Sequence, residues 1–218
     1  LQQFITHQEY YLQLDSHHRF ISNWDIKMLE QLHKCPPKSL LTAYPPPYIP
    51  PDEFPLHHVP TKLVPTGFDT NGVINIEGKL PIDSKVPIEG TLLAGGFILA
   101  PSNFCWEVPY DPELYFKGEE VSLAVRAWTS GWNIYHPSEI LLYHYYTRSN
   151  SKKHWDDNNT WSDLERISIN RLKTLLDIEH IHPHIHLGIY GLGSIRTLSQ
   201  YESKSGIDFK NKIITSHS

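Results

Sequence analysis

The stretch YYLQLDSHHRF, residues 10–20, carries an aspartate and a histidine two positions apart at the end of an apolar, aromatic run. In an extended chain, residues i and i+2 point to the same side. Asp15 and His17 would then offer a carboxylate oxygen and an imidazole nitrogen to one cation. Oxygen-rich sites suit Mg2+ or Mn2+, and an imidazole is compatible with Mn2+. Taken alone, Asp15-Ser16-His17 is also what a polar turn closing a strand looks like.

Other residues invite the same double reading. His144 closes the apolar run in EILLYHYYTR, where a hydrogen-bonded structural histidine is ordinary. Gly95-Gly96 interrupts TLLAGGFILA, and paired glycines inside an apolar run mark close approach of a ligand or of another backbone. Glu119 and Glu120 follow Gly118 at the start of a helical pattern. They complement the helix dipole there, and they can also accept hydrogen bonds from sugar hydroxyls. The run HIHPHIH, His180–His186, alternates histidines around Pro183, a pattern able to chelate a transition metal by chance.

These residues need elements to hold them. Residues 1–9 suggest the end of a helix, and Tyr10–Leu14 reads as a buried strand. Trp24, Met28, Leu29 and Leu32 recur at helical spacing within Asn23–His33, which Pro36 and Pro37 terminate. Ser39–Tyr44 is a short strand. Ten of the 17 prolines fall in Pro36–Pro65, which predicts an ordered, extended surface excursion rather than a helix or central strand. A Pro-rich linker is the alternative. GFDTNGVINIEG, with Asn71-Gly72 at its turn, predicts a hairpin. Thr91–Ala100 reads as a core strand. GEEVSLAVRAWTSGW predicts a helix ended by Gly131, with Val121, Ala124, Val125 and Trp128 on one face. NIYHP and EILLYHYY are short strands, and Trp161–Leu176 is a long helix. The Gly/Ser/Thr-rich tail from Gly188 should be loosely held. Strands alternate with helices and polar motifs lie at strand ends, the place where open α/β sheets bind ligands.

Composition narrows the function classes. With 39% hydrophobic and 20% charged residues, the 218-residue chain is globular. A net charge of −5 without a basic block argues against nucleic acid as a partner. Nothing has the length of a membrane segment or the pattern of a leader. Two cysteines, Cys35 and Cys105, are too few for a disulfide scaffold and point to a reducing cytoplasm.

In order along the chain, YYLQLDSHHRFISNWD, the long segment from LLAGGFILAPSNF to LLYHYYTR, and YGLGSIRTLSQYESKSGIDF closely resemble the GlcNAc-transferase family. Its eukaryotic members add α-linked GlcNAc to hydroxyproline on a cytoplasmic ubiquitin-ligase subunit. The resemblance spans Tyr10–Phe209. A more distant one, to the mucin-type polypeptide GalNAc-transferases, rests on an Asp-Ser-His, a Gly-Gly strand, a Gly-Glu before a helix and a later metal-binding His.

The resemblance implies an α/β, GT-A-like nucleotide-diphospho-sugar transferase fold, with a mixed sheet flanked by helices in a single domain over 1–218. Asp15 and His17 would form the DxD-like metal motif and His144 the third ligand, holding Mn2+ (or Mg2+) against the diphosphate of UDP-GlcNAc. Gly95 and Gly96 would let the donor sugar approach, Glu119 and Glu120 would be catalytic residues bonded to its hydroxyls, and Arg148 would help hold the phosphates. The acceptor would be a protein or glycan hydroxyl, approached along the aromatic Tyr44–Phe54 wall, with retention at the anomeric carbon. In this family the metal motif follows a nucleotide-binding βαβ region on the order of a hundred residues long. Only 14 residues precede Asp15, so the N-terminal nucleotide-binding portion is expected to lie outside this chain. The alternatives are a truncated, non-catalytic binding relative and a metal-dependent hydrolase; the latter ordinarily wants a compact ligand cluster such as two His one helical turn apart, and none stands out.

Overall fold

A computed structural model describes residues 2–54, 58–147, 154–178 and 184–215. The chain starts with a 3₁₀ turn, Gln2–Phe4, in place of the expected helix end. Strands β1 (Tyr10–Leu14) and β2 (His18–Phe20) follow, separated by Asp15–His17. Helix α1 (Trp24–His33) and β3 (Ser39–Thr42) come next. A long hairpin, β4 (Thr61–Phe68) and β5 (Ile74–Pro81), precedes β6 (Ile88–Gly90) and β7 (Phe97–Pro101). Then come a single turn, α2 (Phe104–Glu107), the long α3 (Glu119–Thr129), β8 (Asn133–His136) and β9 (Leu142–His144). The C-terminal part holds α4 (His154–Asp157), α5 (Trp161–Leu175), α6 (Leu198–Ser205), and the two-residue strands β10 (Ile207–Asp208) and β11 (Ile213–Ile214).

Five strands form one mixed sheet in the order β1-β7-β3-β8-β6. Only β3 and β8 run parallel; the other pairs are antiparallel. Alternation along the strands explains the layers. In β7, Ile98 and Ala100 face the α3 side with Leu40, while Phe97 and Leu99 face α1 with Leu41 and Met28. Both faces are covered, so β7 is apolar along its length and all four residues of β3 are buried. β1 is different: it is an edge strand, and all five of its residues are half-buried rather than buried.

Helix α3 is buried on every side from Val121 to Thr129, not along a single stripe. Leu123, Ala124 and Ala127 pack on the sheet, while Val121, Val125 and Trp128 join a second core with α5, α6 and the hairpin. Left-handed glycines bound it, Gly118 at φ 88° and Gly131 at φ 89°.

Three expectations are corrected. The Pro-rich excursion ends at Pro60, because β4 begins at Thr61; Pro65 is tolerated there because the hairpin shifts register between Pro65 and Gly67. The excursion is also not wholly surface, since Tyr48 is 4% exposed. Thr91–Ala100 is not one strand. Residues 91–96 turn aside, Phe97 N–H bonds the Ala94 carbonyl, and only Phe97–Pro101 is β-structure. The tail is not loose. Thr197 and Gln200 make a reciprocal capping box for α6, and Tyr201 and Phe209 are core residues. Among the described residues no helix is long and apolar enough to cross a membrane.

The Tyr201 hydroxyl donates to the Thr91 carbonyl at 2.7 Å while its ring meets Trp128 edge-on. Tyr201→Phe should therefore cost about 1 kcal/mol, from the lost hydrogen bond, and Tyr201→Ala about 3–5 kcal/mol, from the cavity it leaves. Urea denaturation measures both; a tail that contributes nothing to the core would show neither loss.

Candidate functional site

Strand pairing brings the separated motifs together. The Asp15 N–H donates to the Gly96 carbonyl at 3.3 Å, extending the β1–β7 ladder by one residue. The chain then turns through Ser16 and His17 and returns as β2, which pairs antiparallel with β9 and sets His18 opposite His144. The excursion holds His144 from the other side: its N–H bonds the Pro46 carbonyl and its carbonyl accepts from Tyr48 N–H, at 3.0 and 3.1 Å. Asp15, His17 and His144 consequently offer ligand atoms within 4.8 Å of one another. Asp15 Oδ2 lies 3.1 Å from His144 Nε2 and 3.9 Å from His17 Nε2. The hydrogen bond from His144 holds the Asp15 carboxyl below its ordinary range, against the opposing effect of burial. His18 packs behind His144, and burial pulls its ring toward the neutral form.

Beside this cluster lies the Gly95-Gly96 turn. A Cβ on Gly96 would stand 2.9 Å from Asp15 Oδ2, and one on Gly95 would stand 2.6 Å from Glu119 Oε1. Both glycines thus leave room for carboxylates, and neither sits inside a strand. The Gly95 N–H donates to Glu120 Oε1 at 2.7 Å, and its carbonyl accepts from Gln13 Nε2 at 2.6 Å. The other Glu120 oxygen accepts from the Tyr44 hydroxyl at 2.6 Å. Glu119 Oε2 accepts from Tyr110 at 3.1 Å, and the Tyr110 hydroxyl accepts from Gln13.

Burial and the Glu120 charge push the Glu119 carboxyl up to about 7. Glu120 is also raised, mainly by burial, against the bonds from Tyr44 and Gly95. Three spaces surround this cluster. A polar cavity of about 380 Å³ is lined by Asp15, Gly95, Gly96, Glu119 and Lys117. One of about 950 Å³, reaching Gln13, Tyr110 and Tyr190, shares Asp15, Gly95 and Glu119 as its wall. A third, apolar and about 420 Å³, lies between Pro45–Pro47, Tyr146 and Phe97.

The structure therefore joins seven of the eight expected residues. The eighth, Arg148, lies outside the described residues, as do His180, His182 and Pro183 of the His-rich run. Of that run, the His186 carbonyl accepts from Arg171 Nη1 at 3.4 Å. Among the described residues no other group of three His, Cys, Asp or Glu side chains is placed to hold a metal ion. Sequence reasoning missed Gln13, His18, Tyr44 and Tyr110 as members of the site. Gln13 was within reach, because it lies two residues before Asp15 on the same strand face. Tyr110 carries no local signal.

The sequence matches the family model described as Glycosyltransferase (GlcNAc) over residues 1–211. The chain belongs to that family. As a member of the GlcNAc glycosyltransferase family it shares its fold with a crystal structure of GalNAc-T7 with UDP, GalNAc and Mn2+, at a TM-score of 0.56 and 13% identity. That superposition covers 90% of this chain and 40% of GalNAc-T7, so the chain spans about two fifths of that protein's length. The architecture is accordingly α/β and GT-A-like, with a mixed sheet and flanking helices. No curated protein matched the sequence.

The raised Glu119 carboxyl has a consequence for this family member's stability. In the folded chain Glu119 keeps its proton up to about pH 7, whereas the unfolded carboxyl loses it near the ordinary glutamate value of 4.5. Its contribution is therefore fully present below pH 4.5 and is lost as pH rises toward 7. Glu119→Gln should raise Tm at pH 8 by roughly 2–4 °C, the shift about 1 kcal/mol gives a domain of this size. Near pH 4.5 the gain should vanish. A scanning calorimetry series that shows the same difference at both pH values would exclude this account.

Proposed function

We propose that the chain is the catalytic part of a metal-dependent glycosyltransferase that moves GlcNAc from UDP-GlcNAc to a protein hydroxyl with retention. The observation that carries this reading is the convergence of Asp15, His17 and His144 at the edge of a cavity walled by Gly95, Gly96 and Glu119. One carboxylate and two imidazoles suit Mn2+, with Mg2+ the oxygen-preferring alternative. Asp15 Oδ2 would hold the ion together with the His144 and His17 Nε2 atoms, which lie 3.1 and 3.9 Å from it. When bound there, the ion would neutralise charge growing on the diphosphate as the glycosidic bond breaks.

The protein's own groups divide the remaining work. Both Glu120 oxygens are occupied, by Gly95 N–H and by Tyr44, so Glu120 shapes the site. Glu119 is the carboxyl offered to the sugar. It titrates near neutrality, so it can accept a hydrogen bond from a sugar hydroxyl or donate one. Gly95 and Gly96 keep the cavity wall at backbone thickness, which lets a sugar ring lie close to Asp15 and Glu119. In the retaining reaction, the bond from the anomeric carbon to the diphosphate oxygen breaks. The acceptor oxygen bonds to that carbon on the same face, and the leaving phosphate oxygen takes the acceptor proton. No carboxylate nucleophile is needed. The apolar cavity against Tyr146 and Pro45–Pro47 supports a protein acceptor, since aromatic and proline faces pack well on sugar and proline rings.

With Mn2+ and UDP-GlcNAc, the full-length form that contains this chain should release UDP, at least by slow hydrolysis; failure in every divalent metal with folding intact would count heavily against an enzyme. Asp15→Ala should weaken Mn2+-dependent UDP binding at least 10-fold without unfolding the domain. Gly96→Ala should do the same by displacing the Asp15 carboxylate, whereas unchanged affinity in calorimetry would remove Asp15 from the ligand set.

A further inference from the structure

Two histidines of the cluster carry orphaned ring nitrogens. His18 and His144 are 7% and 8% exposed, and His18 Nε2 and His144 Nδ1 are buried without a hydrogen-bond partner. Burying a polar atom without a partner is costly, and two on neighbouring rings ask for an explanation. The β2–β9 register places these two residues directly opposite each other, with ring centroids 4.8 Å apart at 65°.

Their hydrogen positions follow from their other contacts. His18 Nδ1 lies 2.9 Å from the Asp15 backbone carbonyl. A carbonyl oxygen only accepts, so His18 Nδ1 carries the proton, and the Nε2 of the neutral ring is a lone pair. His144 turns its Nε2 toward Asp15 Oδ2, the side where the ion would sit. Without an ion His144 Nε2 donates to the Asp15 carboxylate, which only accepts; with an ion bound that nitrogen must be a lone pair, which moves the proton of the neutral ring to Nδ1. One orphan is then an acceptor and the other a donor.

We propose that His18 is a positioning residue whose Nε2 accepts the Nδ1–H of His144, fixing His144 in the tautomer that presents Nε2 to a metal ion. The inference rests on the metal reading above. The relay runs from the Asp15 carbonyl through His18 to His144, so the residue that supplies the carboxylate ligand also orients, through its backbone, the imidazole ligand 129 residues away. Ligating histidines are ordinarily held in this way by a partner on the second nitrogen. Here that partner is another imidazole, and the relay ends in the same turn as the metal motif.

The test compares wild type, His18→Leu, His18→Gln and Asp15→Ala by Mn2+ titration calorimetry. Ring nitrogen NMR on the protein loaded with diamagnetic Zn2+ supplies the second readout. His18→Leu, which fills the space without an acceptor, should lose 10-fold or more in Mn2+ affinity, in line with the usual effect of such partners. His18→Gln, which returns an acceptor oxygen near the Nε2 position, should stay within about 3-fold of wild type. The spectra should show a slowly exchanging His144 Nδ1–H in wild type and its loss in His18→Leu. Should His18→Leu misfold by circular dichroism, the wild-type spectrum and the Gln variant still decide. If Mn2+ affinity depends on Asp15 but not on His18, and the His144 Nδ1–H exchanges freely, His18 has no such role and the metal site stands. If affinity is indifferent to Asp15, the metal reading falls and this inference with it.

Discussion

The site is assembled around one buried carboxylate. Glu120 accepts from the Gly95 N–H with one oxygen and from the Tyr44 hydroxyl with the other. It thereby ties together three stretches that share no local sequence: the first turn of α3, the glycine turn before β7, and the start of the Pro-rich excursion. The acid cannot be released at low cost, because a carboxylate left without partners in that environment is strongly disfavoured. Placement of the glycine turn fixes the distance from Gly96 to Asp15. Placement of Tyr44 leads the chain into Pro46–Tyr48, whose backbone brackets His144.

A second constraint is electrostatic. Asp15, Glu119 and Glu120 crowd together, and the lysine that lines the same cavity, Lys117, is already paired with Asp69 and Glu165 at 2.9 and 3.6 Å. The crowding is relieved in two ways: the Glu119 carboxyl holds its proton to about 7, and Asp15 leans on His144. A divalent cation would offer a third. The fold thus keeps two carboxylates of one cavity in different protonation states near neutral pH.

Much of this was legible in the residues. The i, i+2 spacing of Asp15 and His17, the acidic start of α3 after Gly118, and the order of the motifs all carried over into the structure. The residues by themselves did not show pairing across long separations; the resemblance alone put His144 beside Asp15. His144 reaches Asp15 only because β2 lies against β9, and a three-residue strand has too little pattern to announce its partner. The glycine pair was misplaced within a strand, because Leu92, Leu93 and Ala94 are as fully buried in an irregular segment as β-structure would be. Glu119 and Glu120, adjacent and chemically alike, were separated only by what touches them. The tail misled through composition: its small polar residues suggested slack, while Tyr201 and Phe209, spaced among them, carry its packing.

The bond between His144 and Asp15 spans 129 positions of chain. Closing so long a loop is dominated by the initial cost of bringing the ends together, since each doubling of length adds only about 0.6 kcal/mol. The unfolded chain holds nothing resembling the three-ligand cluster, so an ion captured there would bind the native state almost exclusively. Its binding free energy would appear as resistance to unfolding. The two-stranded ribbon that closes this loop is therefore a clasp joining the N-terminal turn to the strand that follows the whole central sheet.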